Sequence, residues 1–154
     1  MERVEFGELL KGVFAHSPAG SGEVADRVYY TGDGVLGIVS DRTGKIGFGV
    51  TSGLTPTRSV LSAVDELNRR MNFGHYWLAP GADESNYSLV CGFKFQYETV
   101  TADHVVETAV ALMRYHSTLA EAARQALGDA VHRPYWLDDV EAGTQALLLV
   151  GHLG

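Results

Sequence analysis

The chain carries six histidines, and their spacing decides whether they could hold a metal. His16, His75, His104, His116, His132 and His152 are scattered, and no pair has the H-x-x-x-H or Cys/His spacing that sets two ligands on one face. His104 and Glu107 stand three apart at a helix start and share a face, yet a ligand cluster would need two more donors from elsewhere. No metal and no cofactor are expected. Cys91 falls between Leu89 and Phe93 on the inward face of a strand, where burial raises a thiol pKa and leaves a small hydrophobe, not a nucleophile. No serine sits in a G-x-S-x-G elbow, and Asp138-Asp139-Glu141 has no opposing carboxylate, so that group reads as the charged first turn of a helix. No catalytic residue is expected, and the chain does not read as an enzyme.

Two further motifs have an ordinary reading. Gly44, Gly47 and Gly49 match neither G-x-G-x-x-G nor the Walker pattern, and no helix follows directly, so they belong to a strand in which glycine lets another backbone or a large side chain approach. Arg69-Arg70 near a helix end suits the negative pole of the helix dipole better than a phosphate. His116 interrupts an apolar helical stripe, as a core-edge histidine hydrogen-bonded to a carbonyl or as a polar residue in a dimer seam.

What remains is aromatic surface. Tyr29 and Tyr30 are adjacent, as are Tyr76 and Trp77, and neighbours on a strand point to opposite faces. One ring of each pair faces away from the main core, either to meet a partner or to be covered by a second layer from the C-terminal segment. The residues expected to contact a peptide or protein are Phe14, Tyr30, Tyr76, Trp77 and Trp136.

The elements that must position these residues follow from periodicity. Val4, Leu9, Leu10, Val13 and Phe14 make a short first helix that ends at the breaker-rich Ser17-Pro-Ala-Gly-Ser-Gly22. Val28–Thr31, Val35–Ser40 and Lys45–Thr51, joined by Gly32-Asp-Gly34 and Asp41-Arg-Thr-Gly44, make a three-stranded antiparallel meander. Thr55-Pro56 is the expected cap and first residue of a helix to about Met71, with Val60, Leu61, Val64, Leu67 and Met71 as its buried stripe.

His75–Leu78 opens another strand. From Tyr87 to Glu98 apolar and polar residues alternate: Tyr87, Leu89, Cys91, Phe93, Phe95 and Tyr97 mark a packed face. Thr101 then caps a long helix ended by Gly128, whose stripe Val105, Ala109, Leu112, His116, Leu119 and Ala123 has the rhythm of a seam against a sheet or another helix. After Pro134, Tyr135 to Leu148 fit a helix, although 147–150 could equally be a strand. The expected class is α+β: about five antiparallel strands packed by helices in the order α-β-β-β-α-β-β-α, one domain over 1–154 with a core of 1–128 and an extension of 129–154.

Composition bounds the partners. At 154 residues and 45% hydrophobic content the chain is long and apolar enough to bury its own core. A formal charge of −7 disfavours nucleic acid and anionic membranes, and the basic residues do not cluster along the sequence. The N-terminal residues lack a signal-peptide pattern, one cysteine excludes an internal disulfide, and no run is long enough to span a bilayer, so a cytoplasmic protein is expected.

Leu67-Asn68-Arg-Arg-Met-Asn72 at a helix end, then His75-Tyr-Trp-Leu78, the long strand to Thr99, and Val100-Thr-Ala-Asp103 opening a long helix together resemble the YbjN family and its relatives, the small type III secretion chaperones (CesT-like). The resemblance covers about residues 55 to 127 in detail. It implies a non-enzymatic domain, often dimeric, that binds an extended segment of another protein or acts in a regulatory pathway, and it carries no site residue across. The alternative is a small-molecule-binding or enzymatic α+β domain whose site gathers sequence-distant residues such as His75, Tyr76, Asp103 and His104.

Overall fold

The computed structural model describes residues 1–15, 21–24, 27–71, 74–80, 87–131 and 133–134. Its strands are β1 (Ser21–Val24), β2 (Arg27–Gly32), β3 (Val35–Val39), β4 (Thr43–Leu54), β5 (His75–Ala79), β6 (Tyr87–Gln96) and the two-residue β7 (Arg133–Pro134). Its helices are α1 (Arg3–Phe14), α2 (Arg58–Arg70) and α3 (Ala102–Leu127). Every strand pair is antiparallel, in the order β1-β2-β3-β4-β6-β5, with β7 on β4. This is the α+β sheet expected, with more strands than five. The addition before the meander is β1, whose Ser-Gly-Glu-Val has little strand propensity of its own and is held as an edge by pairing Ser21 with Tyr30 and Val24 with Arg27.

The meander forms where turn chemistry allows. Asp33 and Gly34 both have positive φ, 49° and 80°, the backbone of a tight hairpin turn between β2 and β3. The turn after β3 is pinned from a distance: the Tyr97 hydroxyl lies 2.6 Å from the Ser40 carbonyl and 2.7 Å from that of Thr43. At the centre of the sheet β4 and β6 pair along most of their length, with Ile46 opposite Phe93 and Gly47 opposite Gly92. A Cβ on Gly47 would stand 2.6 Å from the Cys91 carbonyl oxygen, so the glycines here admit the close approach of a neighbouring backbone.

The three α-helices among the described residues lie on one face. Phe6, Leu10 and Phe14 of α1, Val60, Val64 and Leu67 of α2, and Val105, Ala109, Leu112, Ala120, Ala123 and Leu127 of α3 join Ile46, Phe48, Val50, Leu89, Cys91 and Phe95 in one core. The α3 seam therefore packs inside its own chain, with Leu112 fully buried. Its start is capped by the Thr101 hydroxyl, which accepts from the His104 N–H at 3.3 Å, and Gly128 ends it. His116 meets the first of its two readings: it is half-buried, its Nδ1 lies 3.0 Å from the Met113 carbonyl, and its ring sits edge-on to Phe48.

Two details of α2 differ from expectation. The helix starts at Arg58 and its cap is Thr57, not Thr55: the Thr57 hydroxyl accepts from the Val60 N–H at 3.3 Å. Pro56 biases Thr55 to extended backbone, so the next hydroxyl along takes the cap. Leu61, assigned to the buried stripe, is 51% exposed, because Val60, Val64 and Leu67 already fill the narrow line facing the core. The expectations for residues 135–150 lie outside the described residues. No described helix is long and apolar enough to cross a membrane.

Candidate functional site

An open groove runs between the end of α2 and the second half of α3. Its walls are Leu67 and Met71 on one side and Leu119, Ala122 and Ala126 on the other; Tyr76 forms the floor, and Arg70 and Gln125 complete the lining. The volume is about 460 Å³. Its depth comes from small residues: Ala122 and Ala126, one turn apart, leave room that larger side chains would fill.

The floor is fixed by an asparagine. The Asn68 side-chain amide donates to the Tyr76 carbonyl at 2.9 Å, and its oxygen accepts from the Tyr76 N–H at 2.7 Å. This two-way clamp ties the start of β5 to the last turn of α2. The Tyr76 hydroxyl, passing under α3, donates to the Leu119 carbonyl at 2.8 Å. Burial, and secondarily the Cys91 thiol beside it, push the Tyr76 pKa far above that of a free phenol. The ring is therefore a neutral, rigid floor and not a proton donor at ordinary pH. At the rim, Arg70 is paired with Glu66 at 3.1 Å and the neighbouring Arg69 with Asp65 at 2.9 Å. What the groove can do is accept an apolar side chain beside a polar edge.

The face of the sheet away from the helices is chemically different. Leu36, Ile38, Trp77, Ala79 and Val90 form a second buried cluster there, with Tyr29 packed against it. Lys45 on β4 pairs with Lys94 on β6, and its Nζ lies 5.8 Å from the centre of the Trp77 ring. Burial first, then the charges of Lys94 and Arg27, lower the Lys45 pKa to about 8. The His75 ring lies tilted against that of Trp77 with ring centres 4.8 Å apart, and burial, then Lys45, lower its pKa as well. Arg27, Lys45 and Lys94, dispersed along the sequence, thus come together here from three strands.

The residues expected to bind a partner have separate fates. Phe14 is 1% exposed in the helix-side core, where its ring rests over Gly37, and it offers no contact surface. Tyr30 is half-buried against the same core. Tyr76 is buried yet lines the groove, whereas Trp77 is 6% exposed in the second cluster. Trp77 thus faces away from the helix-side core, and of the two readings of its pair it has the covered one, buried among Leu36, Ile38, Ala79 and Val90. Trp136 lies outside the described residues.

The alternative site does not assemble. His75 and Tyr76 point to opposite faces of β5, and His104 stands edge-on to Phe95 at 5.5 Å on the helix side. Cys91 is buried, and burial holds its thiol pKa far above the usual value. Among the described residues, no group of three His, Cys, Asp or Glu could hold a metal ion. Sequence reasoning missed the groove residues Ala122, Gln125 and Ala126 because they lie off the apolar stripe of α3. It missed the cation cluster because Lys45 meets Lys94 only once the register of β4 on β6 is known.

No family model and no curated protein matches the chain. Among solved structures it is similar to an uncharacterized protein from Methanothermobacter thermautotrophicus, with a TM-score of 0.50 and 9% sequence identity over 82% of this chain and 100% of that one. At that identity the likeness concerns the fold alone.

Proposed function

We propose that this protein is a non-enzymatic binding module for a segment of another protein, chaperone-like or regulatory, and that the groove between α2 and α3 seats an apolar side chain of that segment. The observation that carries the reading is the groove itself: an apolar channel with a fixed aromatic floor and a polar edge, and no reactive group converging on it. An amphipathic helix or an extended strand both present side chains that such a groove accepts. The resemblance to the YbjN family and the type III secretion chaperones supports the same class, and with it a cytoplasmic setting and a homodimer as the working form.

The second reading is a small-molecule ligand. The groove volume falls within the range of about 300–1,000 Å³ common for such sites. Convergent polar groups are what it lacks: the Tyr76 hydroxyl is committed to Leu119, and Arg70 is paired with Glu66.

Ala122→Phe tests the proposal. Ala122 is exposed and lines the groove, so a phenylalanine there fills the channel with little effect on folding. Affinity capture with the wild-type protein and the variant, compared by quantitative mass spectrometry, should show proteins retained by the first and lost by the second. Identical capture by both would remove the groove from the account. Retention of a small molecule by wild type alone, with no protein, would favour the second reading.

A further inference from the structure

Where β3 turns into β4, the face of the sheet away from the helices opens into a polar pocket of about 400 Å³. Arg27 reaches it from β2, Lys94 and Gln96 from β6, and Ser40, Arg42 and Thr43 from the turn and the start of β4. Strand alternation puts them together: Arg27 stands two residues before Tyr29, Thr43 two before Lys45 and opposite Gln96, and Lys94 opposite Lys45. In a chain of formal charge −7, three cations thus share one small concavity. Asp41 also lines it, but its carboxylate is held by Arg3 at 2.8 Å. The positive field is felt next door, where the charges of Lys94 and Arg27 help burial to lower the Lys45 pKa.

A hydroxyl in the same pocket points to a ligand independently of the charges. Ser40 is 4% exposed, and its Oγ is buried with no hydrogen-bond partner among the described residues. Burying a hydroxyl unbonded is costly, and an acceptor brought into the pocket that Ser40 lines would remove the cost. The frame is already set: the Ser40 N–H donates to the Thr43 carbonyl at 3.1 Å, and the Tyr97 hydroxyl lies within hydrogen-bond distance of both carbonyls. Arg42 and Lys94 are exposed, and neither enters an ion pair among the described residues.

We propose that this pocket binds the phosphate group of a small phosphorylated molecule, with Arg27, Arg42 and Lys94 around its oxygens and the Ser40 hydroxyl donating to one of them. A carboxylate is planar, carries one charge and is satisfied by a single guanidinium fork. A tetrahedral dianion needs charged donors from several sides, which three cations on separate stretches of chain supply. The volume is more than a phosphate ion fills and falls within the range of about 300–1,000 Å³ common for small ligands, so there is space for the esterified remainder. The site is separate from the groove between α2 and α3 and does not depend on what binds there.

The test is a titration of the isotope-labelled full chain, followed by its amide resonances, with inorganic phosphate, glycerol phosphate and acetate in turn. Sodium chloride holds the ionic strength constant, and a mildly alkaline pH keeps both phosphates as dianions. Saturable shifts are expected at Ser40, Arg42, Thr43 and Gln96, with glycerol phosphate bound at least as tightly as inorganic phosphate and acetate about tenfold or more weaker. Arg42→Ala should weaken glycerol phosphate about tenfold or more, the loss of a charged hydrogen-bond donor. Ser40→Ala changes no charge and removes a hydroxyl with no bond to lose among the described residues, yet it should weaken binding several-fold. Lys11→Ala, at an exposed cation on α1, should leave binding unchanged, and amides remote from the pocket report that each variant is folded. Unaltered affinity in Ser40→Ala would reduce the site to diffuse attraction and overturn the proposal. So would the absence of saturable shifts, acetate bound as tightly as the phosphates, or inorganic phosphate bound more tightly than its ester.

Discussion

The two faces of the sheet are made by the same strands and solve opposite problems. On the helix side Ile46, Phe48, Leu89, Cys91 and Phe95 present large apolar groups to three helices that bring matching stripes. On the other side β4 offers Lys45, Gly47 and Gly49, so the middle of the face is bare and charged while Leu36, Ile38, Val90 and Trp77 surround it. Period-two alternation creates both faces at once, but hydrophobicity identifies the cover for only one of them. A face rich in glycine and cations is defined by what is brought to it, and its chemistry stays hidden until strand register is known.

The largest expected effect tests the helix-side core. Leu112→Ala removes a fully buried side chain and should cost about 2–5 kcal/mol. If the α3 seam packs inside its own chain, the denaturant midpoint of this variant falls equally at two protein concentrations tenfold or so apart. A loss that differs between the two concentrations would turn the seam into a dimer interface.

Gly92→Ala addresses the middle of the opposite face. An added Cβ would lie 2.7 Å from the Gly47 Cα, against backbone that cannot rotate away, so a loss of about 1–3 kcal/mol is expected. Unchanged stability in a denaturant titration would mean that β4 and β6 do not approach as closely as described. Asn68→Ala, which strips both bonds from the Tyr76 backbone, should cost about 1–3 kcal/mol, since it leaves a Tyr76 N–H without its acceptor. Amide exchange at Tyr76 should quicken in the same variant, and if it does not, the clamp is not what positions the groove floor.

The smallest effect is a slope. The Lys45 amine has a pKa of about 8 in the folded chain against 10.5 unfolded, so between those values the unfolded chain binds the extra proton and stability rises with pH. The raised pKa values of Tyr76 and Cys91 act in the opposite direction. Lys45→Met isolates the lysine contribution: wild-type stability minus that of the variant should climb between pH 8 and 10.5 and be flat below pH 7. A flat difference throughout would show that Lys45 is fully solvated.

Much of this architecture is legible in the residues. The Asp33-Gly34 turn, the alternation from Tyr87 to Tyr97, the Thr101 cap and the Gly128 stop each have a local cause, and each lies where that cause puts it. The edge strand β1 is not legible, because its sequence acquires extended structure only by pairing with β2. The site is less legible still. Tyr76 stands out as one of an adjacent aromatic pair, but Ala122 and Ala126 matter as absences of volume, which no residue type advertises. Arg27, Lys45 and Lys94 become neighbours only through three successive registers, marked by Tyr29 on Ile38, Ile38 on Lys45 and Lys45 on Lys94.

The functional account stands on the groove being where a partner binds, and methyl resonances report that most directly. Full-length protein with labelled alanine, leucine, isoleucine, valine and methionine methyl groups would be titrated with the protein whose capture Ala122→Phe abolishes. The account predicts shifts at Met71, Leu119, Ala122 and Ala126, while Leu36, Ile38, Ala79 and Val90 on the opposite face stay in place. Shifts confined to Leu36, Ile38, Ala79 and Val90, with the groove methyls unmoved, would contradict it.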